Sequence, residues 1–131
     1  PERYLSCHPL LTELVLAARD ESGGRSRIAI GRQVAHLATL RAMSIAVASL
    51  LDAKENPALE ASVVKDLGAV YEQDLPGIAQ SLVAREPRTD DTGDPFAQAL
   101  GELVQNAPSF SLRGGTREIL RGIIARGLGL R

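Results

Sequence analysis

Apolar residues along this chain recur at intervals of three and four, and no stretch alternates apolar with polar over several residues. That pattern predicts helices and leaves no clear strand. Leu11, Leu14 and Val15, followed by Ala17 and Ala18, predict a first helix over about residues 10–19, closed by Ser22-Gly23-Gly24. A second is expected over about residues 26–53. Between Val34 and Leu51 its only ionisable side chains are His36 and Arg41, and small residues such as Ala38, Ala42, Ser44 and Ala46 fill much of the rest. Such a surface predicts a helix enclosed on several sides.

The third helix opens at Asn56-Pro57, with Asn56 as N-cap and Pro57 at the first helical position. Val64, Leu67, Tyr71, Leu75, Ile78 and Leu82 then form a one-sided stripe. Pro76 lacks a backbone donor and crowds the preceding turn, so a kink or break is expected between Gln73 and Gly77. Residues 85–93 are rich in Pro, Asp and Thr and read as a loop. Asp94-Pro95 repeats the cap-then-proline signal and opens a short helix to about Asn106, ended by Ala107-Pro108-Ser109. After a loop over 110–115, a last helix starts near Thr116, carries Ile119, Leu120, Ile123 and Ile124, and frays at Gly127 or Gly129. Four or five helices joined by modest loops predict an all-α fold, an antiparallel four-helix bundle forming a single domain over residues 1–131.

Composition narrows the function classes. The 131 residues are 44% apolar and 24% charged, in keeping with one ordinary globular domain. Fifteen Lys and Arg against sixteen Asp and Glu leave a net charge of −1, which disfavours a nucleic-acid binder held by bulk charge. Two Tyr, two Phe and no Trp make a base-stacking platform a poor fit. The single Cys7 excludes an internal disulfide and a multi-cysteine zinc site, and with only His8 and His36 besides, no metal site is expected. A reducing, cytoplasmic setting is the expectation. The apolar run of the second helix is broken by His36 and Arg41, so no membrane span is expected, and no secretory leader pattern opens the chain at Pro1.

Candidate chemistry concentrates at Arg113-Gly114-Gly115-Thr116-Arg117-Glu118. Glycines let backbone amides approach a ligand, and a helix N-terminus leaves donors unpaired beside partial positive charge. With Arg113, Arg117 and Arg121 in one row the segment could hold an anion; equally, it could be a plain turn with a Thr116 cap and a solvated basic face. Asp20-Glu21, Asp90-Asp91 and Lys65-Asp66 read as surface groups. No G-x-S-x-G elbow, dinucleotide fingerprint or phosphate-binding loop is present.

The tail from Gly114 to Ala125 (GGTREILRGIIA), followed by Leu128-Gly129-Leu130, resembles the C-terminal signature of acyl-CoA dehydrogenases. Upstream, Val34-Ala35-His36-Leu37 and the segment from Glu60 to Gly68 are similar to stretches of the same domain, so the likeness runs from about Leu11 onward. The resemblance implies the C-terminal helical bundle of a longer FAD-dependent oxidoreductase that dehydrogenates acyl-CoA thioesters, inert when alone. By position it gives Gly115, Thr116 and Glu118 a place beside the flavin, and the bundle a role in homo- or hetero-oligomer contacts. Some members carry the catalytic Glu where this chain has Gly114, which cannot accept a proton. The family's Arg-x-x-Phe-Gly and Gln-x-x-Gly-Gly segments are absent; Ile28-Ala29-Ile30-Gly31 and the residues after Gln80 replace them. Those departures also suit a non-catalytic subunit of the same family.

Overall fold

A computed structural model describes residues 3–21, 24–90 and 93–130. After a short 3-10 turn at Arg3–Cys7 come α1 (His8–Glu21), α2 (Gly24–Asp52), α3 (Ala58–Leu82), α4 (Pro95–Phe110) and α5 (Arg117–Gly127), and no strand occurs among the described residues. The all-α bundle is as expected. α3 lies at its centre and touches every other helix, while α1 packs on α4 and α2, and α5 packs chiefly on α3.

The helix ends follow from local chemistry. α2 stops where Lys54 turns left-handed (φ 64°), its amide bonding to Leu51 and that of Glu55 reaching back to Leu50, each at 3.0 Å. α5 stops the same way on Gly129 (φ 74°), with Leu130 bonding to Ala125 at 2.8 Å. Both satisfy carbonyls that would otherwise face no donor. α4 starts as the sequence predicts: the Asp94 carboxylate accepts from the Ala97 amide at 3.2 Å, with Pro95 at the first position. In α3 the start lies one residue later than expected. Pro57, not Asn56, occupies the cap position, and its carbonyl accepts from Ala61 at 2.8 Å. The Ser22-Gly23 part of the expected first stop lies outside the described residues, and Gly24 already belongs to α2.

Of the kink or break expected near Pro76, no break occurs, and the end expected at Ala107-Pro108-Ser109 is overrun. α3 continues through Pro76, which is itself buried beside Leu75 and Ala79. A proline costs about 3 kcal/mol inside a helix, and the apolar packing of that face outweighs it. α4 likewise continues through Pro108 to Phe110, past the end expected at Asn106. The carbonyl that Pro108 deprives of a partner is that of Val104, a solvent-facing residue, whereas Phe110 is 2% exposed and ties the extra turn to the core.

The core joins Cys7, Leu10 and Leu14 to Leu40, Tyr71, Leu75, Phe96, Leu100 and Phe110. The strap before α4 lies against this layer. The Arg88 amide bonds to the Ala97 carbonyl at 2.9 Å, and a Cβ on Gly101 would collide with the Arg88 backbone. The predicted stripe on α3 is only partly right. Val64, Tyr71 and Leu75 are buried, but Leu67 is exposed, and Ser62, Gly68 and Glu72 are buried in addition. A helix with neighbours on several sides buries more than one stripe.

α2 reverses expectation. Leu40, Ser44 and Val47 are its buried residues, while Ile28 (62%), Ile45 (56%) and Leu51 (52%) stand exposed. It is therefore not enclosed within this chain. By length and hydropathy it also qualifies as a helix able to cross a membrane, which corrects the reading that His36 and Arg41 rule out such a run. Those two polar residues leave the average over the surrounding aliphatic and small side chains high.

Candidate functional site

The turn between α4 and α5 is built by two consecutive left-handed glycines, Gly114 (φ 73°) and Gly115 (φ 103°). Side chains at such angles are strained, so the pair is required for the chain to reverse here. A Cβ on Gly115 would touch Leu120 and Ile119 side-chain carbons at ordinary contact distance, whereas Gly114 beside it is exposed. Thr116 follows in extended conformation (φ −71°, ψ 163°) at the cap position of α5, as the sequence predicts.

Glu118 stands in the first turn of α5, exposed to solvent. Its carboxyl is held below the usual range first by a backbone hydrogen bond at Glu118 and then by one from the Thr116 side chain, with Arg121 and Arg117 adding attraction. The carboxylate thus occupies the positive end of the helix. Thr116 makes no side-chain capping bond to α5, so its hydroxyl can donate to or accept from a bound group.

The flanking arginines are committed to α3. Arg117 Nε donates to Asp66 Oδ1 at 2.9 Å, and Arg121 Nε lies 3.7 Å from Asp66 Oδ2. The Arg113 guanidinium stacks 4.5 Å above the Phe110 ring and approaches Glu72 Oε2 to 4.0 Å. Lys65 Nζ donates to the Phe110 carbonyl at 3.4 Å. The expected solvated basic row is therefore corrected: these arginines are paired with the protein's own carboxylates. Lys65-Asp66, read from the sequence as a surface pair, is the floor of the turn. Glu72, 3% exposed at its side chain, was missed altogether.

The other candidates do not join this place. His36 packs edge-on against Tyr71, with ring centroids 5.0 Å apart. Cys7 is fully buried; desolvation and then the Glu72 charge push its thiol up to about 12, so it stays protonated and unreactive. Burial, then proximity to Cys7, raises Tyr71 as well. Asp90 is exposed and forms a two-point pair with Arg88, at 2.9 and 2.7 Å. Asp20, Glu21 and Asp91 have side chains outside the described part. Among the described residues, no group of three or more His, Cys, Asp or Glu could hold a metal ion.

Two of the hollows among the described residues lie near this region, one among the 3-10 turn, α1 and α4, the other among α2, α3 and α5. The first, of about 250 Å³, opens beside Arg113 and is lined also by Ser6, Leu10, Asn106 and Phe110. The other, of about 330 Å³, is almost wholly apolar and lies between α2, α3 and α5, lined by Met43, Val47, Leu50, Leu59, Val63 and Ile124.

Residues 25–129 match the family model described as acyl-CoA dehydrogenase, C-terminal domain. No curated protein and no solved structure matches the chain.

Proposed function

The chain belongs to the acyl-CoA dehydrogenase family as a C-terminal domain, and we propose that it serves an FAD-dependent dehydrogenation of acyl-CoA thioesters, contributing part of the flavin and acyl site together with subunit contacts. The observation that carries this is the double-glycine turn at the head of α5, which lies in the segment that resembles the family's C-terminal signature. Bound FAD would supply the hydride acceptor for the β carbon of the substrate.

What the chain's own residues would do follows from their chemistry. Gly115 lets the backbone come close to a planar ring system. Thr116 offers a hydroxyl that can donate to or accept from a hydroxyl or ring nitrogen. Glu118 acts indirectly, as a carboxylate in the first turn of α5 that complements the positive end of the helix. These groups suit the hydroxyl- and nitrogen-bearing parts of a flavin and not its phosphates. The carboxylate of Glu118 sits at the helix end, and Arg117 and Arg121 are paired with Asp66. Gly114 cannot take the α proton, so the base lies elsewhere in the functional assembly.

The exposed apolar residues of α2 and the neighbouring apolar groove would be covered by another subunit, identical or not. Gly114 at the position of the base in some relatives favours a second reading, a non-catalytic subunit that completes a partner's site. One experiment separates them. The natural protein containing this chain, purified and mixed with FAD and an acyl-CoA plus an electron-accepting dye, should show a bound-flavin spectrum and bleach the dye. Bound flavin without turnover supports the non-catalytic subunit. A colourless protein that takes up no FAD, alone or with its co-purifying partner, overturns both.

A further inference from the structure

Three residues of α3 hold the whole α4–α5 connection. Lys65 takes the last carbonyl of α4, Glu72 faces Arg113 on one side of the glycine turn, and Asp66 takes Arg117 on the other. Only residues 114–116 lie between the two anchored arginines, and the two glycines among them have the greatest conformational freedom to lose. Something outside the turn must therefore fix its shape.

Asp66 is the strongest of the anchors. The Asp66 side chain is 14% exposed and the Arg117 side chain 29%, so water and salt screen the pair little. The 2.9 Å contact is a charge-assisted hydrogen bond. Its second oxygen faces Arg121, one helical turn further on. Holding α5 at two successive turns of one face fixes its rotation about its axis. That rotation decides where the Thr116 side chain points, since Thr116 caps the same helix.

We infer that Asp66 is a positioning residue for the turn, acting through Arg117 and Arg121 to fix the backbone of Gly114–Thr116 and the direction of the Thr116 hydroxyl. The flavin-facing part of this inference rests on the functional reading above; the turn-holding part does not. A merely structural ion pair would lower stability across the bundle, whereas a positioning pair releases one segment.

The test is amide hydrogen exchange on the natural protein carrying Asp66→Asn. Exchange at Leu120 and Arg121, the first hydrogen-bonded amides of α5, the former bonded to the Thr116 carbonyl at 3.0 Å, should quicken about tenfold or more, while the cores of α1 and α4 are unchanged. Asp66→Glu should restore most of the protection, because it keeps the charge that Arg117 needs. FAD titrated into the same variants should bind more weakly to Asp66→Asn by a similar factor and recover with Asp66→Glu. Arg117→Gln removes the contact from its more exposed side and should reproduce the local signature if Asp66→Asn does not fold. Unchanged exchange at Leu120 and Arg121, or quickening spread evenly over all helices, overturns the inference. Failure of the unaltered protein to take up FAD would instead remove the functional reading, and the exchange result would still decide whether Asp66 holds the turn.

Discussion

α2 and α5 solve opposite problems. α5 is short and strongly two-faced; it buries Leu120 and spends Arg117 and Arg121 on a carboxylate of α3. α2 is the longest helix, yet it buries three residues and leaves Ile28, Ile45 and Leu51 more than half exposed. The charged face of α5 is finished within the chain and presents a shaped turn, although Ile119 stays 58% exposed. The apolar face of α2 is left unfinished by the described residues. An exposed apolar face of this kind is what the proposed subunit contact would use.

The largest test of the finished side is Leu75→Ala. Leu75 has no exposure and sits where α3 meets the core. Its truncation should cost about 2–5 kcal/mol by denaturant unfolding. A loss below about 1 kcal/mol would mean α3 is not the organising helix. The matching change on α2 should behave differently. Ile45→Asp places a charge on a surface already 56% open. Urea unfolding of the dissociated protein should shift by roughly 0.5 kcal/mol or less. Sedimentation should show self-association, or association with a co-purifying subunit, weakened roughly 10- to 100-fold, because an unpaired charge would be buried there. Equal association by both proteins would remove α2 from the interface.

How far each face was legible depends on the range of the interactions. The start of α4 and the cap position of α5 were readable because Asp94-Pro95 and Gly114-Gly115-Thr116 act within a few residues. The persistence of α3 through Pro76 was not, since a local penalty was overruled by contacts with distant segments. Asp66 and Arg117 are 51 positions apart, and no local period links them. Glu72 left one clue: it is an acidic residue beside Tyr71 and three before Leu75, within the most apolar-lined part of the helix. For α2, composition reported an apolar helix, and the error lay in assuming that this chain encloses it.

The buried side of the bundle also predicts a response to alkali that α2 does not contribute to. Cys7 ionises near 9.0 when unfolded but only at about 12 in the folded chain, and Tyr71 is raised too. Both are acids whose neutral forms the fold favours. Above pH 9 the unfolded chain loses protons that the folded one keeps, so stability is full below that point and falls as pH rises toward 12. Thermal unfolding between pH 8 and 11 should therefore show a falling midpoint, and Cys7→Ala should flatten the slope while lowering the midpoint at pH 8. An unchanged slope in Cys7→Ala would place the alkaline loss elsewhere.

The smallest effect concerns the way the two helices end. Both close with the same pair of backbone hydrogen bonds, but α5 uses Gly129 at the left-handed position and α2 uses Lys54. A side chain there crowds the following carbonyl, whereas glycine does not, although glycine gives the unfolded chain more freedom to lose. The Lys54 side chain is exposed at this turn, so its replacement removes little packing. The steric gain should win narrowly, and Lys54→Gly is expected to raise stability by about 0.5 kcal/mol in urea unfolding. The reverse exchange, Gly129→Lys, should lower it by a similar amount, because the hydrogen bonds it must preserve are the same. If Lys54→Gly destabilises instead, the end of α2 owes its shape to the lysine side chain and not to the backbone pattern it shares with α5.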